Sequence, residues 1–190
     1  MSQLNKDDGP EINPSVVFLF DLVKWVRQGR IRVPAFQRSF VWSRTSMLDL
    51  FDSVRRRYPI GTLLFWKSST RTAGPLGRFG PFDLSQTQPS ETLLLLDGQQ
   101  RLTTLAGVLL RGSGLPELSD DGEDRERWNI YFDASGGRTD EKRKEDKSRE
   151  GVFMHLPSDS QAKPWQVPLH QLSDTNELFR AGAAIYNADS

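Results

Sequence analysis

The chain has 190 residues, of which 36% are hydrophobic and 10% aromatic, and its formal net charge is zero. This length favours one domain with a hydrophobic core. No apolar run approaches the ~20 residues that a helix needs to cross a bilayer. Cysteine is absent and there are only two histidines. Disulfides, thiol catalysis, cysteine–zinc sites and a histidine-rich nuclease centre are therefore excluded, and we expect a cytoplasmic protein.

The charges are unevenly distributed. The segment from Lys24 to Arg71 holds 11 basic side chains and two acidic ones, a net charge of +9, which the rest of the chain offsets. Clustered arginines suit phosphate because the guanidinium group makes bidentate, charge-assisted contacts. Solvated helix faces explain the same charges equally well. The composition leaves both interpretations open.

The first third of the chain predicts two helices around a short strand. Residues 1–12 predict a loosely attached tail without a signal peptide, and Asn13-Pro14 predicts the start of a helix that stops at Gly29. Ile31 and Val33 predict a strand, and Ser43 caps a second helix that ends in 55–57. The expected apolar faces are Val16, Leu19, Phe20, Val23 and Val26 in the first helix, and Met47, Leu48, Phe51 and Val54 in the second.

The middle of the chain predicts two buried strands separated by a long loop. Residues 62–66 predict the first strand, and residues 68–90, rich in Gly, Pro, Ser and Thr, predict the loop. The apolar run 92–96 predicts a strand covered on both faces. A helix with Leu102, Leu105, Ala106 and Leu109 on one side follows and ends near Gly112.

The last third is more weakly patterned. We expect an acidic loop over 115–127, strands over 128–132 and 152–156, and an exposed or disordered segment over 135–150. Asp174 with Glu177 resembles a capping box and predicts a final helix through Tyr186. His155 is expected to be structural, and His170 is expected at the surface.

The strongest chemical feature is the sequence Asp97-Gly98-Gln99-Gln100-Arg101, which follows the four leucines of the predicted strand. The first turn of a helix has free backbone N–H groups and a partial positive charge, so this junction is a natural anion site. Arg101 adds a cation, and Asp97 is a suitable ligand for Mg²⁺ on a bound nucleotide.

A purely structural interpretation of this junction is also open. Asp97 would cap the helix, Gly98 would make the turn, and Arg101 would pair with Asp97. The density of polar groups after an apolar strand favours a ligand, because unpartnered polar groups at a buried strand end cost free energy.

The second feature is the aromatic, Gln- and Arg-containing segment from Ile31 to Trp42. An exposed aromatic ring can stack on a base while arginine holds a phosphate. We expect Gln37 and Arg38 to contact a ligand, whereas Phe40 and Trp42 are expected to anchor the segment in the core. Tyr58-Pro59-Ile60-Gly61 indicates only a turn. No phosphate-binding loop of the Gly-Lys-Ser/Thr type is present.

Together these motifs resemble the N-terminal domain of GmrSD-type modification-dependent restriction proteins, which is related to the ParB and sulfiredoxin fold. The resemblance is specific from about residue 31 to 110 and looser beyond. It rests on Pro34, Phe36, Gln37, Arg38, Trp42, Pro59, Ile60, Gly61 and the five residues Asp97 to Arg101.

The resemblance implies an α/β (α+β) fold with a small mixed sheet flanked by helices. It implies a single domain over residues 13–190, shortened at its C-terminus and without an HNH nuclease domain. It also implies a site for GTP or another NTP with Mg²⁺. The catalytic set is Asp97 as metal ligand, Gln99 or Gln100 orienting water, and Arg101; the nucleotide-binding set is Gly98, Thr103, Thr104, Gln37 and Arg38.

The resemblance further implies DNA, including modified DNA, as a partner. Contacts are expected from Phe36, Arg38, Arg32 and Arg44. A nuclease domain or subunit on another chain and self-association are the other candidate partners, and no membrane is expected. Two alternative functions stay open: a DNA-binding or partner module without enzyme activity, and a small metal-dependent nuclease.

Overall fold

The computed structural model describes residues 13–68, 77–85, 87, 89, 91–117, 125–135 and 152–188. Within these ranges it is a mixed α/β fold of the α+β kind, with helices around small sheets, as expected. The helices and strands run in chain order as α1 Leu19–Arg27, β1 Ile31–Arg32, α2 Arg44–Arg55, β2 Leu64–Ser68, β3 Arg78–Phe79, β4 Phe82–Asp83, β5 Thr92–Asp97, α3 Gln99–Leu109, β6 Ile130–Asp133, β7 Phe153–His155, β8 Gln166–Pro168 and α4 Thr175–Ala188.

The sheet that positions the site has β5 at its centre. β1 pairs with β5 in parallel, with Ile31 opposite Leu93, and β2 pairs with β5 antiparallel, with a register shift between Leu64 and Phe65. The predicted strand at 92–96 is thus confirmed as the middle strand. Its C-terminal end leads directly into α3 through Gly98.

Helix α3 is the core of the fold. Every residue from Leu102 to Leu109 is buried, so the helix is covered on all sides rather than on one apolar face. Gly107 explains one close approach, because a Cβ there would overlap the six-membered ring of Trp128. A helix held this firmly presents its first turn in a fixed position at the end of β5.

Helix α2 follows the sequence prediction closely. The hydroxyl of Ser43 accepts the backbone N–H of Ser46 at 3.1 Å, which caps the helix. Met47 and Phe51 are buried, as expected, together with Leu50. Phe40 and Trp42 pack against the core as predicted, and the Phe40 ring lies 5.0 Å from that of Trp128.

The beginning of α1 was predicted wrongly. Residues 13–17 are not helical, and the helix starts at Leu19 after an extended Phe18. Val16 is fully exposed, so an additional turn would have nothing to pack against and would gain little from its hydrogen bonds alone. The predicted stop is confirmed, since Gly29 has a φ of 67° after the last turn.

The strand predicted over 62–66 is also different in the structure. β2 covers Leu64–Ser68 and lies at the edge of the sheet, with Leu64 and Trp66 on the exposed side. It is therefore not a buried strand. An apolar run of this length does not distinguish a central strand from an edge strand with one open face.

The long loop predicted over 68–90 contains a two-stranded hairpin. β3 and β4 pair antiparallel, and the side chains of Phe79 and Phe82 are almost completely buried. Residues 69–76 lie outside the described residues, as do 118–124 of the expected acidic loop, 136–151, which take in most of the expected exposed segment, and the tail 1–12.

The remaining sheet has the order β7-β6-β8. It confirms the strands expected near 128–132 and 152–156. Helix α4 begins as predicted, because Oδ1 of Asp174 accepts the backbone N–H groups of Asn176 and Glu177. Within the described residues, no helix combines the length and apolar character that a membrane span requires.

Candidate functional site

The junction between β5 and α3 is a sharp turn at Gly98. This residue has a φ of 88°, in the left-handed region, and a Cβ at this position would overlap the side chain of Leu63. Glycine is required here on both counts. The turn therefore brings the polar residues on either side of it together at the end of the central strand.

The first turn of α3 is not capped by a side chain. The backbone N–H groups of Gln99, Gln100 and Arg101 precede the first intrahelical bond, which runs from the N–H of Leu102 to the carbonyl of Gly98 at 3.0 Å. These groups carry the positive end of the helix dipole. The geometry is that of an anion site at a helix N-terminus.

Asp97 and Arg101 form an ion pair across the turn. Nη2 of Arg101 lies 3.3 Å from Oδ2 of Asp97, with the Asp97 side chain 70% exposed and the Arg101 side chain only 20% exposed. Asp97 does not cap the helix, because Gly98 occupies the cap position. One carboxylate oxygen thus contacts the arginine, and the exposed carboxylate is open to a cation or a ligand.

Arg101 is also fixed from the opposite side. Its Nη1 donates to the backbone carbonyl of Ile60 at 2.6 Å. Gly61, with a φ of 83°, lies directly against the guanidinium group, where a Cβ would collide with Nη1. The turn Tyr58–Gly61 is therefore part of the site. This role was not predicted from the sequence, since nothing in the turn itself shows which side chain it contacts.

Gln100 holds the second motif in place. Its Oε1 accepts the backbone N–H groups of Val41 at 2.9 Å and Trp42 at 3.2 Å, and its Nε2 donates to the carbonyl of Ser39 at 3.1 Å. The side chain is buried. Gln100 thus connects the junction to a segment about sixty residues earlier in the chain.

Gln99 differs from its neighbour. Its Oε1 is buried and accepts no hydrogen bond from any described residue. A buried amide oxygen without a partner costs free energy, so a donor from a ligand or a water molecule would stabilise it. Of the two glutamines, Gln99 is the one with free hydrogen-bonding capacity.

The segment Phe36–Arg38 lies beside the end of β5. Nε2 of Gln37 donates to the carbonyl of Leu96 at 2.7 Å, which brings this segment to the junction. Phe36 is 77% exposed. Arg38 is exposed and has no hydrogen bond or ion pair to the part of the chain that the structure describes.

Four predicted residues are not brought to the junction. Thr103 and Thr104 are buried in α3, and the Thr104 hydroxyl donates to the carbonyl of Gln100 at 2.8 Å. Arg32 is half-buried, and its Nε donates to the carbonyl of Gly29. Arg44 begins α2 and lies 3.6 Å from Glu126. These four residues are therefore not part of the junction site.

The two histidines lie away from the junction motif. His155 is in β7, where Nε2 lies 3.1 Å from the carbonyl oxygen of Arg44, as expected of a structural residue. The prediction for His170 was wrong, because it lies half-buried in a short 3₁₀ helix, Leu169–Ser173. Burial, and secondarily the charge of Arg111, lower its pKa below the ordinary value of 6.5.

A bound metal would depend on Asp97. Among the described residues, no group of three or more His, Asp or Glu side chains could hold an ion by itself. Mg²⁺ commonly binds through one or two carboxylates, with phosphate oxygens and water as the other ligands. A single exposed carboxylate beside an anion site fits that mode of binding.

The fold and this junction define an α+β domain with a polar turn at the end of a central strand. A family model described as the N-terminal domain of GmrSD restriction endonuclease matches residues 19–186. The chain therefore belongs to this family, which confirms the resemblance seen in the sequence.

The chain is also similar to an uncharacterized protein of Methanocaldococcus jannaschii. The two are 36% identical over 100 residues, which is 50% of this chain and 17% of the relative. The matched region is thus less than a fifth of the relative's length.

Proposed function

We propose that this domain binds a nucleoside triphosphate at the β5–α3 junction and senses DNA through the adjoining Phe36–Arg38 segment, as a regulatory part of a restriction system. The observation that carries the proposal is the uncapped first turn of α3 with Asp97 and Arg101 paired beside it. Phosphate suits such a helix start, and arginine strengthens the attraction.

In this proposal each residue of the junction has a distinct part. Arg101 holds phosphate oxygens from a position fixed by the Ile60 carbonyl. Asp97 holds Mg²⁺, which when bound neutralises charge that develops on the phosphates. Gln99 orients the attacking water, because the amide of Gln100 is already committed to three backbone groups.

The experiment is a calorimetric titration of the whole chain with GTP, ATP and CTP in the presence of Mg²⁺. Two variants test the junction: Arg101→Ala removes the phosphate contact, and Asp97→Asn removes the metal ligand at an exposed position where folding is little affected. Arg180→Ala is the matched control, because Arg180 is an exposed arginine in α4, paired with Glu177.

We expect the wild type to bind a nucleotide and Arg101→Ala to lose binding. Asp97→Asn should weaken binding by at least about tenfold with Mg²⁺ and have little effect in EDTA. Arg180→Ala should bind normally. Absence of binding by the wild type, or unchanged binding by both junction variants, would overturn the proposal.

A DNA-binding module without enzyme activity is the second candidate. It is favoured by the exposed Phe36 ring close in sequence to Arg38, which is exposed and makes no ion pair with the described residues, since base stacking and phosphate contact need such neighbours. This function predicts DNA affinity that depends steeply on salt and does not change when nucleotide is added. Coupling between nucleotide and DNA binding would support the first proposal instead.

A further inference from the structure

An open groove of about 360 Å³ lies beside the junction, between α2 and the turn Tyr58–Gly61. Its walls include Trp42, Ser46, Asp49, Ser53, Pro59 and Arg101. Small-molecule sites typically have volumes of roughly 300–1,000 Å³. Arg101 is the one lining residue that also belongs to the Asp97–Arg101 motif. The groove is therefore adjacent to the junction but consists mostly of other residues.

One face of α2 forms a wall of this groove. Ser46, Asp49, Leu50 and Ser53 recur at intervals of three and four residues and so lie along the same side of the helix. Leu50 is buried and provides an apolar base, whereas Asp49 is exposed. The half-buried Trp42 adds an aromatic surface. The groove thus combines an aromatic ring, a carboxylate and, from α3, a guanidinium group.

The carboxylate of Asp49 is uncommitted. It makes no hydrogen bond or ion pair with the described residues, whereas Asp52 on the same helix pairs with Arg55 and Arg56. The neighbouring Ser53 hydroxyl donates to the backbone carbonyl of Asp49, not to its side chain. Asp49 therefore presents two acceptor oxygens with no structural task in this part of the chain.

We infer that this groove holds the base of the bound nucleotide and that Asp49 selects guanine; this inference rests on the nucleotide site proposed above. An ionised carboxylate only accepts hydrogen bonds. Guanine presents two adjacent donors on one edge, N1–H and the 2-amino group, which match a carboxylate. Adenine and cytosine each place a ring-nitrogen acceptor next to their amino group, which the carboxylate repels.

The other groove residues are consistent with a purine. The indole of Trp42 offers a surface on which a base can stack, and stacking does not depend on base identity. Arg101 lies at the end nearest the junction, where the phosphates would bind. Trp42 and Arg101 would thus contribute affinity for any nucleotide, whereas Asp49 would distinguish between bases. A base without matching donors would leave the Asp49 carboxylate unpaired in the complex, which costs binding free energy.

The test changes the hydrogen-bonding pattern of residue 49 without changing the size of its side chain. Asp49→Asn replaces one acceptor oxygen by an N–H donor, which suits xanthine, because xanthine has a carbonyl where guanine has the 2-amino group. The whole chain would be titrated with GTP, ATP and xanthosine triphosphate in Mg²⁺. Asp21→Asn is the matched control, since Asp21 is an exposed aspartate of α1 outside the groove.

We expect the wild type to prefer GTP over ATP and over xanthosine triphosphate by about tenfold or more, and Asp49→Asn to prefer xanthosine triphosphate over GTP. Inorganic tripolyphosphate, which has no base, should bind the wild type and Asp49→Asn equally. Asp21→Asn should behave as the wild type for all four ligands.

Three results would overturn the inference, and they separate its failure from failure of the junction site. If the wild type binds tripolyphosphate and nucleotides but shows no base preference, or if Asp49→Asn keeps the preference for GTP, the groove is not a guanine site and the junction proposal stands. If the wild type binds none of the four ligands, the nucleotide site itself is absent and both proposals fail.

Discussion

The β5–α3 junction and the Phe36–Arg38 segment both present polar side chains at the end of the central strand, but they use them differently. At the junction, Gln100 and Arg101 are largely buried and bond to backbone groups forty to sixty residues away. In the other segment the side chain of Gln37 is the one bonded to the described residues, while Phe36 and Arg38 face solvent.

This difference shows that not every polar residue in a dense motif contacts a ligand. Part of the Asp97–Arg101 motif builds the site by holding loops, and part remains open to a ligand. Gln100 is in the first group, Asp97 and the backbone N–H groups are in the second, and Arg101 belongs to both. Substitutions at these residues should therefore separate the two groups.

The adjacent glutamines should differ sharply in their effect on stability. Gln100→Ala leaves the backbone N–H groups of Val41 and Trp42 and the carbonyl of Ser39 without their partner, so we expect a loss of about 2–4 kcal/mol in the free energy of unfolding. Gln99→Ala removes no hydrogen bond seen in the described residues and should cost less than about 1 kcal/mol. Urea unfolding measures both.

An equal loss of unfolding free energy in both variants would contradict the different structural roles assigned to the two glutamines. Nucleotide turnover provides the complementary measurement, because Gln99→Ala should reduce it while leaving the protein folded. A stable Gln99→Ala variant with full turnover would remove Gln99 from the proposed mechanism.

Arg38→Gln should change DNA binding without changing stability. Arg38 is exposed and unpaired among the described residues, so its loss should make the slope of log affinity against log salt concentration less steep by about one unit, as for one phosphate contact. Arg57→Gln is the control: Arg57 is also exposed and has no partner among the described residues, but it lies after α2. An equal change in both variants would mean that DNA binds diffusely along the basic segment.

The smallest effect concerns His170. Because burial lowers its pKa below 6.5, the unfolded chain binds a proton at this ring at a higher pH than the folded chain does. Stability is therefore lost as pH falls below about 6.5. His170→Gln should show a shallower loss of unfolding free energy than the wild type between about pH 7.5 and 5.5. Identical slopes would show that the ring is solvated in the folded protein.

Much of the site could be anticipated from the sequence because its causes are local. The apolar run at 92–96 followed by Asp97-Gly98 predicts a strand, a turn and a helix start, and each depends on residues within a few positions. The Ser43 cap and the Gly29 stop were correct for the same reason. Local rules were less successful at the start of α1, where the capping signal of Asn13 and Pro14 was outweighed by a lack of packing partners.

Short-range sterics and hydrogen bonding dictate the central strand, the glycine turn and the polar helix start, so these features follow from local sequence patterns. Which polar groups stay free depends on tertiary packing. The amide of Gln100, the contact of Arg101 with Ile60 and the groove at Asp49 all join segments about forty to sixty residues apart. Such pairings depend on how the helices and strands pack together, which no local pattern encodes.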